Sequence, residues 1–365
     1  MSDASPVPAY NPEQVLSLES TLNERILGQE PAIKQISKVL LNSAAGFRDA
    51  KKPRGIFLLT GPSGVGKTET ALALAAPDVF YPSYSKEELK HYNPGHHIIN
   101  MGEYQQSHEV AKLIGSPPGY TGDSIPLAMS VVNERPRTVF ILDEIEKAHP
   151  AILDALLAPF DKGKMNTGKN VPLDFKDAIF MMTSNHPAPD SILRKEFLNR
   201  VDAVVKFHPL QKEHYKTLIE RKIADTSATM VERYGTALSM EPTEIDRFAM
   251  LLAQQENISR KPTSSKPIGF AHMIQKDKAP SNPLMTDSSN EIQAGTGARE
   301  MTRIFEKSLE PITRHLFIEQ ARTAPDTLHP NRIVIKDLFH FRADVQNEQG
   351  QTLKVIGEGS PTPGR

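Results

Sequence analysis

The chain has 365 residues, of which 38% are hydrophobic, 24% charged and none cysteine, and its 43 basic and 44 acidic residues leave a net charge of −1. That length suggests about two domains at roughly 150 residues each, and the near-average composition excludes collagen, coiled coil and disorder as readings of the whole. Without cysteine there is no disulfide framework, thiol nucleophile, zinc ribbon or iron–sulfur cluster, and the balanced charge advertises neither nucleic acid nor an anionic membrane.

No apolar run reaches the ~18 residues a spanning helix needs, and the opening MSDASPVPAYNP lacks a signal peptide's apolar segment. A soluble, cytoplasmic protein is expected. Residues 1–10 read as a flexible leader. Asn11 then caps a helix with Pro12 in its first turn and Val15, Leu18 and Leu22 on one face. A second helix opens at Glu30-Pro31 and carries Ile33, Ile36 and Leu40. From Ile56 the pattern changes to short continuous apolar runs: 56–59, 98–99, 139–142, 178–182 and 203–205. Such runs suit strands buried on both faces of a parallel sheet. Helical stretches at 68–76, 127–133 and 151–160 separate most of them, so 11–209 is expected to be an α/β domain. Residues 211–256 and 299–320 read as helix, giving a smaller, mainly helical domain over 210–346. It is interrupted by a loop insert at 257–293, and a strand-like Ile333-Val334-Ile335 comes late. Residues 347–365 read as a flexible tail. Proline, 29 residues, is in excess: about 8% against a usual ~5%.

The strongest local motif is Gly61-Pro62-Ser63-Gly64-Val65-Gly66-Lys67-Thr68. It fits G-x-x-x-x-G-K-[ST] in full, between a buried-strand pattern and an Ala/Leu-rich helix. Glycines let the backbone curl so that its N–H groups meet phosphate oxygens, and the following helix offers its positive end. Lys67 then reaches the β- and γ-phosphates and the Thr68 hydroxyl holds Mg²⁺. The run Val139–Leu142 ends in Asp143-Glu144. Asp143 suits Mg²⁺, directly or through water, and Glu144 suits a base for the attacking water. ATP and Mg²⁺ are the expected ligands.

Several further segments resemble the Clp-type AAA+ unfoldases, specifically their C-terminal ATPase module. These are Asp143–Pro150 (DEIEKAHP), Leu113–Gly122 (LIGSPPGYTG), Arg25–Gln29 (RILGQ), Phe197–Arg200 (FLNR) and Gly297-Ala298-Arg299. They stand in family order from about residue 20 to 343. The resemblance implies an AAA+ P-loop fold, a parallel-sheet core followed by a helical lid. It implies that Ile26 and Leu27 lie beside the adenine, that Asn185 senses the γ-phosphate and the water, and that Arg299 is a second sensor. Arg200 is implied as a finger reaching a neighbouring subunit's site, and hence a ring, expected as a homo-hexamer. Gly119, Tyr120, Thr121 and Gly122 are implied as a mobile channel loop that grips an extended polypeptide, with 161–169 similar in position to a second such loop.

There are departures from the family. Asn100 stands where Asp is usual, Thr121 where Val is, and the loop from Ala76 to His97 is longer. No second ATPase module, adaptor domain or coiled-coil middle domain stands in these 365 residues. Ile268-Gly269-Phe270 is similar to a peptidase-docking tripeptide. It falls in the helical domain and not between Asn185 and Arg200, so no peptidase partner is expected. His91, His96 and His97 lack the companions of a metal site. The expected activity is ATP-driven unfolding or remodelling of a protein substrate, with no membrane or nucleic-acid partner. A nucleic-acid motor would need a basic face or stacking aromatics, and the sequence offers only the basic segment 257–281. A non-threading assembly switch would need neither a full catalytic set nor an aromatic channel loop.

Overall fold

The computed structural model describes residues 11–76, 78–80, 95–115, 128–168, 170–186, 188–258, 297–322, 332–338, 342–347, 349 and 351–356. The expected leader, the channel-loop residues Gly119, Tyr120, Thr121 and Gly122, His91, nearly all of the 257–293 insert with Ile268–Phe270, and residues 357–365 of the tail lie outside these. The chain divides into two compact units, Met1–His208 and Pro209–Arg365.

In the first unit, α1 (Pro12–Arg25) opens on Asn11, whose Oδ1 accepts the Glu13 N–H at 3.0 Å, and it buries Val15, Leu18 and Leu22. Next come α2 (Glu30–Ala44), β1 (Gly55–Thr60), α3 (Lys67–Leu74), β2 (His96–Asn100), α4 (Val110–Ile114), α5 (Val131–Glu134), β3 (Val139–Asp143) and α6 (Pro150–Lys162). They are followed by β4 (Lys164–Asn166), β5 (Pro172–Asp174), β6 (Ile179–Ser184), α7 (Lys195–Leu198) and β7 (Ala203–Lys206). Five strands form one parallel sheet in the order β2-β3-β6-β1-β7, while β4 and β5 make a separate antiparallel hairpin.

Every residue of β1 and β6 is buried, which is why both read as unbroken apolar runs. Alternate side chains feed two cores, one per face. Phe57, Leu59, Ile141, Met181 and Val205 pack with the apolar sides of α1, α2 and α3. Ile56, Leu58, Phe140, Leu142 and Phe180 pack with α6 and the aromatic group Phe160, Phe175 and Phe197. Phe140 and Phe180 stack at 5.1 Å, a register set by their pairing on adjacent strands. The two outer strands differ from expectation. Among the described residues both edges lack a neighbour on one side, and there Ile98 and Val204 are exposed, so burial on both faces holds for the central strands alone.

The second unit begins with α8 (Lys212–Tyr234), β8 (Ala237–Met240) and α9 (Pro242–Ile258). After these come α10 (Ala298–Arg322), β9 (Arg332–Asp337), β10 (Arg342–Gln346) and β11 (Thr352–Ile356). Its helices meet a four-stranded sheet ordered β11-β10-β9-β8, through Tyr215, Phe248 and Phe305 against Leu238, Ile333, Ile335 and Ala343. Two expectations are corrected here. The stretch 211–256 is not continuous helix. Gly235 closes α8, and the chain then enters β8, which runs parallel to β9. Residues 347–365 are not wholly a loose tail either, because β11 pairs antiparallel with β10 and buries Ile356. Backbone pairing holds a segment whose composition alone would not. No helix among the described residues is long and apolar enough to cross a membrane.

Candidate nucleotide-binding site

Parallel strands present their carboxyl ends together, and β1, β3 and β6 are adjacent in the sheet. The residues that leave them therefore converge on one edge, where open α/β sheets bind ligands. β1 leaves into Gly61–Gly66, with positive φ at Gly61 (142°), Gly64 (75°) and Gly66 (100°). A side chain at Gly61 would place its Cβ 2.6 Å from the Phe207 carbonyl oxygen, so the backbone's close approach to the chain after β7 requires glycine there. Gly66 starts α3 with no side-chain cap, leaving the helix's first N–H groups directed at whatever occupies the loop.

Lys67 is buried, 6% exposed as a residue, and its ammonium donates to the carbonyls of Gly61 (2.7 Å) and Pro62 (2.6 Å) and to Asn185 Oδ1 (2.8 Å). The Thr68 hydroxyl stands 3.4 Å from Asp143 Oδ1. An alcohol and a carboxylate this close are the hard oxygen donors that suit Mg²⁺, so the chain's own residues fit the ion. Asp143 is steadied by Thr183, whose hydroxyl donates to its Oδ1 at 2.6 Å.

Glu144 takes a left-handed backbone (φ 57°), and its N–H donates to the Thr183 hydroxyl at 3.0 Å. One carboxylate oxygen pairs with the Lys147 ammonium at 2.6 Å and the other accepts from Asn185 Nδ2 at 3.3 Å. That pairing, chiefly the hydrogen bond to Glu144, holds the Lys147 ammonium above its ordinary pKa. Asn185 is itself held through its backbone N–H, which donates to Glu146 Oε1 at 3.0 Å. On the other flank Ile26, buried at the end of α1, has its Cγ2 3.6 Å from where a Cβ on Gly66 would stand, and Leu27 is half-buried.

Direct hydrogen bonds thus join Lys67, Asn185 and Glu144 in one set and Thr68 and Asp143 in another, and the Thr183 hydroxyl bridges the two. Arg200 is engaged elsewhere: its Nε donates to Asp161 Oδ2 at 2.7 Å and its Nη1 to the Glu196 carbonyl at 2.6 Å. Arg299 lies exposed in the first turn of α10, in the second unit. Sequence reasoning missed Thr183, Lys147 and Glu146 as members of the cluster. Thr183 lies two residues before Asn185, and Lys147 three after Glu144 within a single 3₁₀ turn. Those two spacings were the available signals.

A glycine cradle at the end of β1, a buried lysine beside it and an aspartate and glutamate at the end of β3, across the intervening β6, define a P-loop nucleotide-binding α/β domain. Residues 52–221 match the family model described as AAA domain (Cdc48 subfamily). The chain is 37% identical over 232 residues to chaperone protein ClpB of Corynebacterium diphtheriae, covering 60% of this chain and 26% of that protein. It is 35% identical over 247 residues to ClpB of Lactococcus lactis subsp. lactis, covering 60% and 27%. To the ATP-dependent Clp protease ATP-binding subunit ClpC of Staphylococcus aureus it is 36% identical over 238 residues, covering 57% and 28%. Residues 52–221 are thus similar to an AAA ATPase domain of the Clp type, and the chain spans a little over a quarter of the length of these curated relatives.

Proposed function

We propose that the chain hydrolyses ATP at this site and couples turnover to the remodelling of protein substrates in a ring of like subunits. The observation that carries the reading is the hydrogen-bonded group of Lys67, Thr68, Asp143, Glu144 and Asn185 at the carboxyl ends of β1, β3 and β6. Gly61–Gly66 and the start of α3 hold the phosphates by backbone N–H groups. Lys67 exchanges its carbonyl partners for phosphate oxygens, and Ile26 and Leu27 flank the base. Mg²⁺, held by Thr68 and Asp143, supplies charge neutralisation across the phosphates when bound. Glu144 accepts the proton of the attacking water, and Asn185, one amide away from both Lys67 and Glu144, orients that water.

Hexameric assembly, Arg200 as the finger completing a neighbour's site, Arg299 as second sensor and Tyr120 as the gripping residue are parts of the same reading. Their support is the motif order and the ClpB and ClpC relatives, whose names describe a chaperone and a protease's ATP-binding subunit. A cytoplasmic setting and the absence of a peptidase, membrane or nucleic-acid partner complete it. The test is Glu144→Gln. It should bind fluorescent ATP as the parent does while turnover falls about 10²-fold or more. Turnover at the parental rate would remove Glu144 as the base.

A further inference from the structure

Gln29 is a fully buried polar side chain to which nothing above gives a role. It occupies the N-cap position of α2, where a side chain ordinarily accepts from the helix's own first N–H groups. It makes no such bond. Its amide turns the other way, Nε2 donating to the Val65 carbonyl at 3.1 Å and to the His208 carbonyl at 2.6 Å, while Oε1 accepts the His208 N–H at 2.9 Å. Both donors and the acceptor are therefore engaged, with two segments 143 positions apart (208 − 65).

Those segments are informative. Val65 lies inside the glycine cradle, between Gly64 and Gly66. His208 is the last residue of the first unit, and Pro209 opens the second. The preceding residue reaches the other end of the cradle: the Phe207 N–H donates to the Thr60 carbonyl at 2.7 Å, and the Phe207 carbonyl excludes a side chain at Gly61. Residues 207–208 thus touch the loop at its entry directly and at its exit through one glutamine. The Val65 carbonyl bonded to Gln29 belongs to the same short loop whose N–H groups face the phosphates. A phosphate that reorders this loop must move or strengthen the Gln29 bonds, because a buried amide has no water to turn to.

We propose that Gln29 is a positioning residue that transmits the state of the phosphate loop to the segment leading into the second unit. The proposal rests on the nucleotide-site reading given above. Gln29→Met keeps the side-chain length and removes all three bonds. Gln29→Glu keeps an acceptor for the His208 N–H but sets an oxygen against the carbonyls of Val65 and His208.

The experiment follows backbone amide exchange at 61–67 and at His208 by mass spectrometry, with and without Mg²⁺ and ATPγS, alongside direct ATPγS binding. In the parent, ATPγS should slow exchange in both segments. In Gln29→Met, binding within about fivefold of the parent should persist with slowing confined to 61–67, and Gln29→Glu should behave likewise. A general loss of stability would quicken both segments and not separate them. Nucleotide-linked slowing at His208 retained in full by the variants would overturn the proposal. So would a parent that binds ATPγS with no change at His208, a result that needs no variant to fold. A parent that binds no ATPγS would instead remove the nucleotide-site reading itself, and this inference with it.

Discussion

Thr183 shows how much of the site depends on a residue outside any phosphate-binding motif. Its buried hydroxyl donates to Asp143 and accepts from the backbone of Glu144, so one oxygen fixes the neighbouring acid and the left-handed turn that aims the second. A non-glycine residue at φ 57° costs on the order of 1–3 kcal/mol and persists only where its surroundings hold it. Thr183→Val keeps the shape but leaves the Glu144 N–H without its partner, at a cost of about 1–3 kcal/mol. We expect kcat about tenfold lower or more, KM little changed and a chain still folded by circular dichroism. An unchanged kcat would reduce Thr183 to packing. The cradle itself was legible in the sequence, because phosphate binding needs contiguous glycines, Lys67 and Thr68. The bonds of Thr183 and Gln29 were not legible: the spacing of Thr183 from Asn185 marked its position but not its partners. Their partners lie on other strands and loops, and no local spacing encodes a strand's neighbour.

At the level of elements, the central strands were readable for a physical reason: burial on both faces demands an unbroken apolar run. The outer strands alternate, so their short runs gave position without exposure. β8 and β11 were hidden because Ala237–Met240 and Thr352–Ile356 are brief and polar-interrupted and are held by pairing with β9 and β10.

Two element-scale predictions follow from local geometry. Gly163 closes α6 at φ 61°, and a Cβ there would lie 1.8 Å from the Lys51 carbonyl oxygen; Gly235 closes α8 at φ 63° with nothing within 4 Å. Gly163→Ala should therefore lower the melting temperature far more than Gly235→Ala, which bears only the left-handed cost of about 1–2 kcal/mol. Equal losses would mean the Lys51 segment yields freely.

The second prediction concerns Glu244 in α9, whose pKa is raised above its ordinary 4.5, first by burial, against partial relief from the Leu338 N–H and Arg247. A raised folded-state pKa gives stability that is complete below pH 4.5 and lost as pH climbs through the higher folded value. Glu244→Gln should thus gain melting temperature over the parent at pH 7, with the gain shrinking towards pH 4. A gain that grows on acidification would contradict this sign.

For the molecule as a whole, motif order was the legible part, and it carried expectations that one chain's geometry does not contain. A ring, a channel and a finger acting in trans are properties of several subunits. The near-neutral total charge weighs on the same side, since a protein thread needs no electrostatic funnel whereas a nucleic acid does. Tyr120→Ala should leave ATP turnover within about twofold of the parent while unfolding of a fluorescent-protein substrate stops. Unfolding at the parental rate would remove Tyr120 as the grip.

Arg200 adds a consequence for assembly. Its guanidinium is bound to Asp161 and the Glu196 carbonyl within its own subunit. On the proposed reading of Arg200 as a finger it is sheathed: to serve a neighbour it would have to surrender a carboxylate, so only a site offering comparable negative charge would draw it out. On that reading an isolated subunit keeps Arg200 occupied, and readiness to hydrolyse would become a reward for correct partnership.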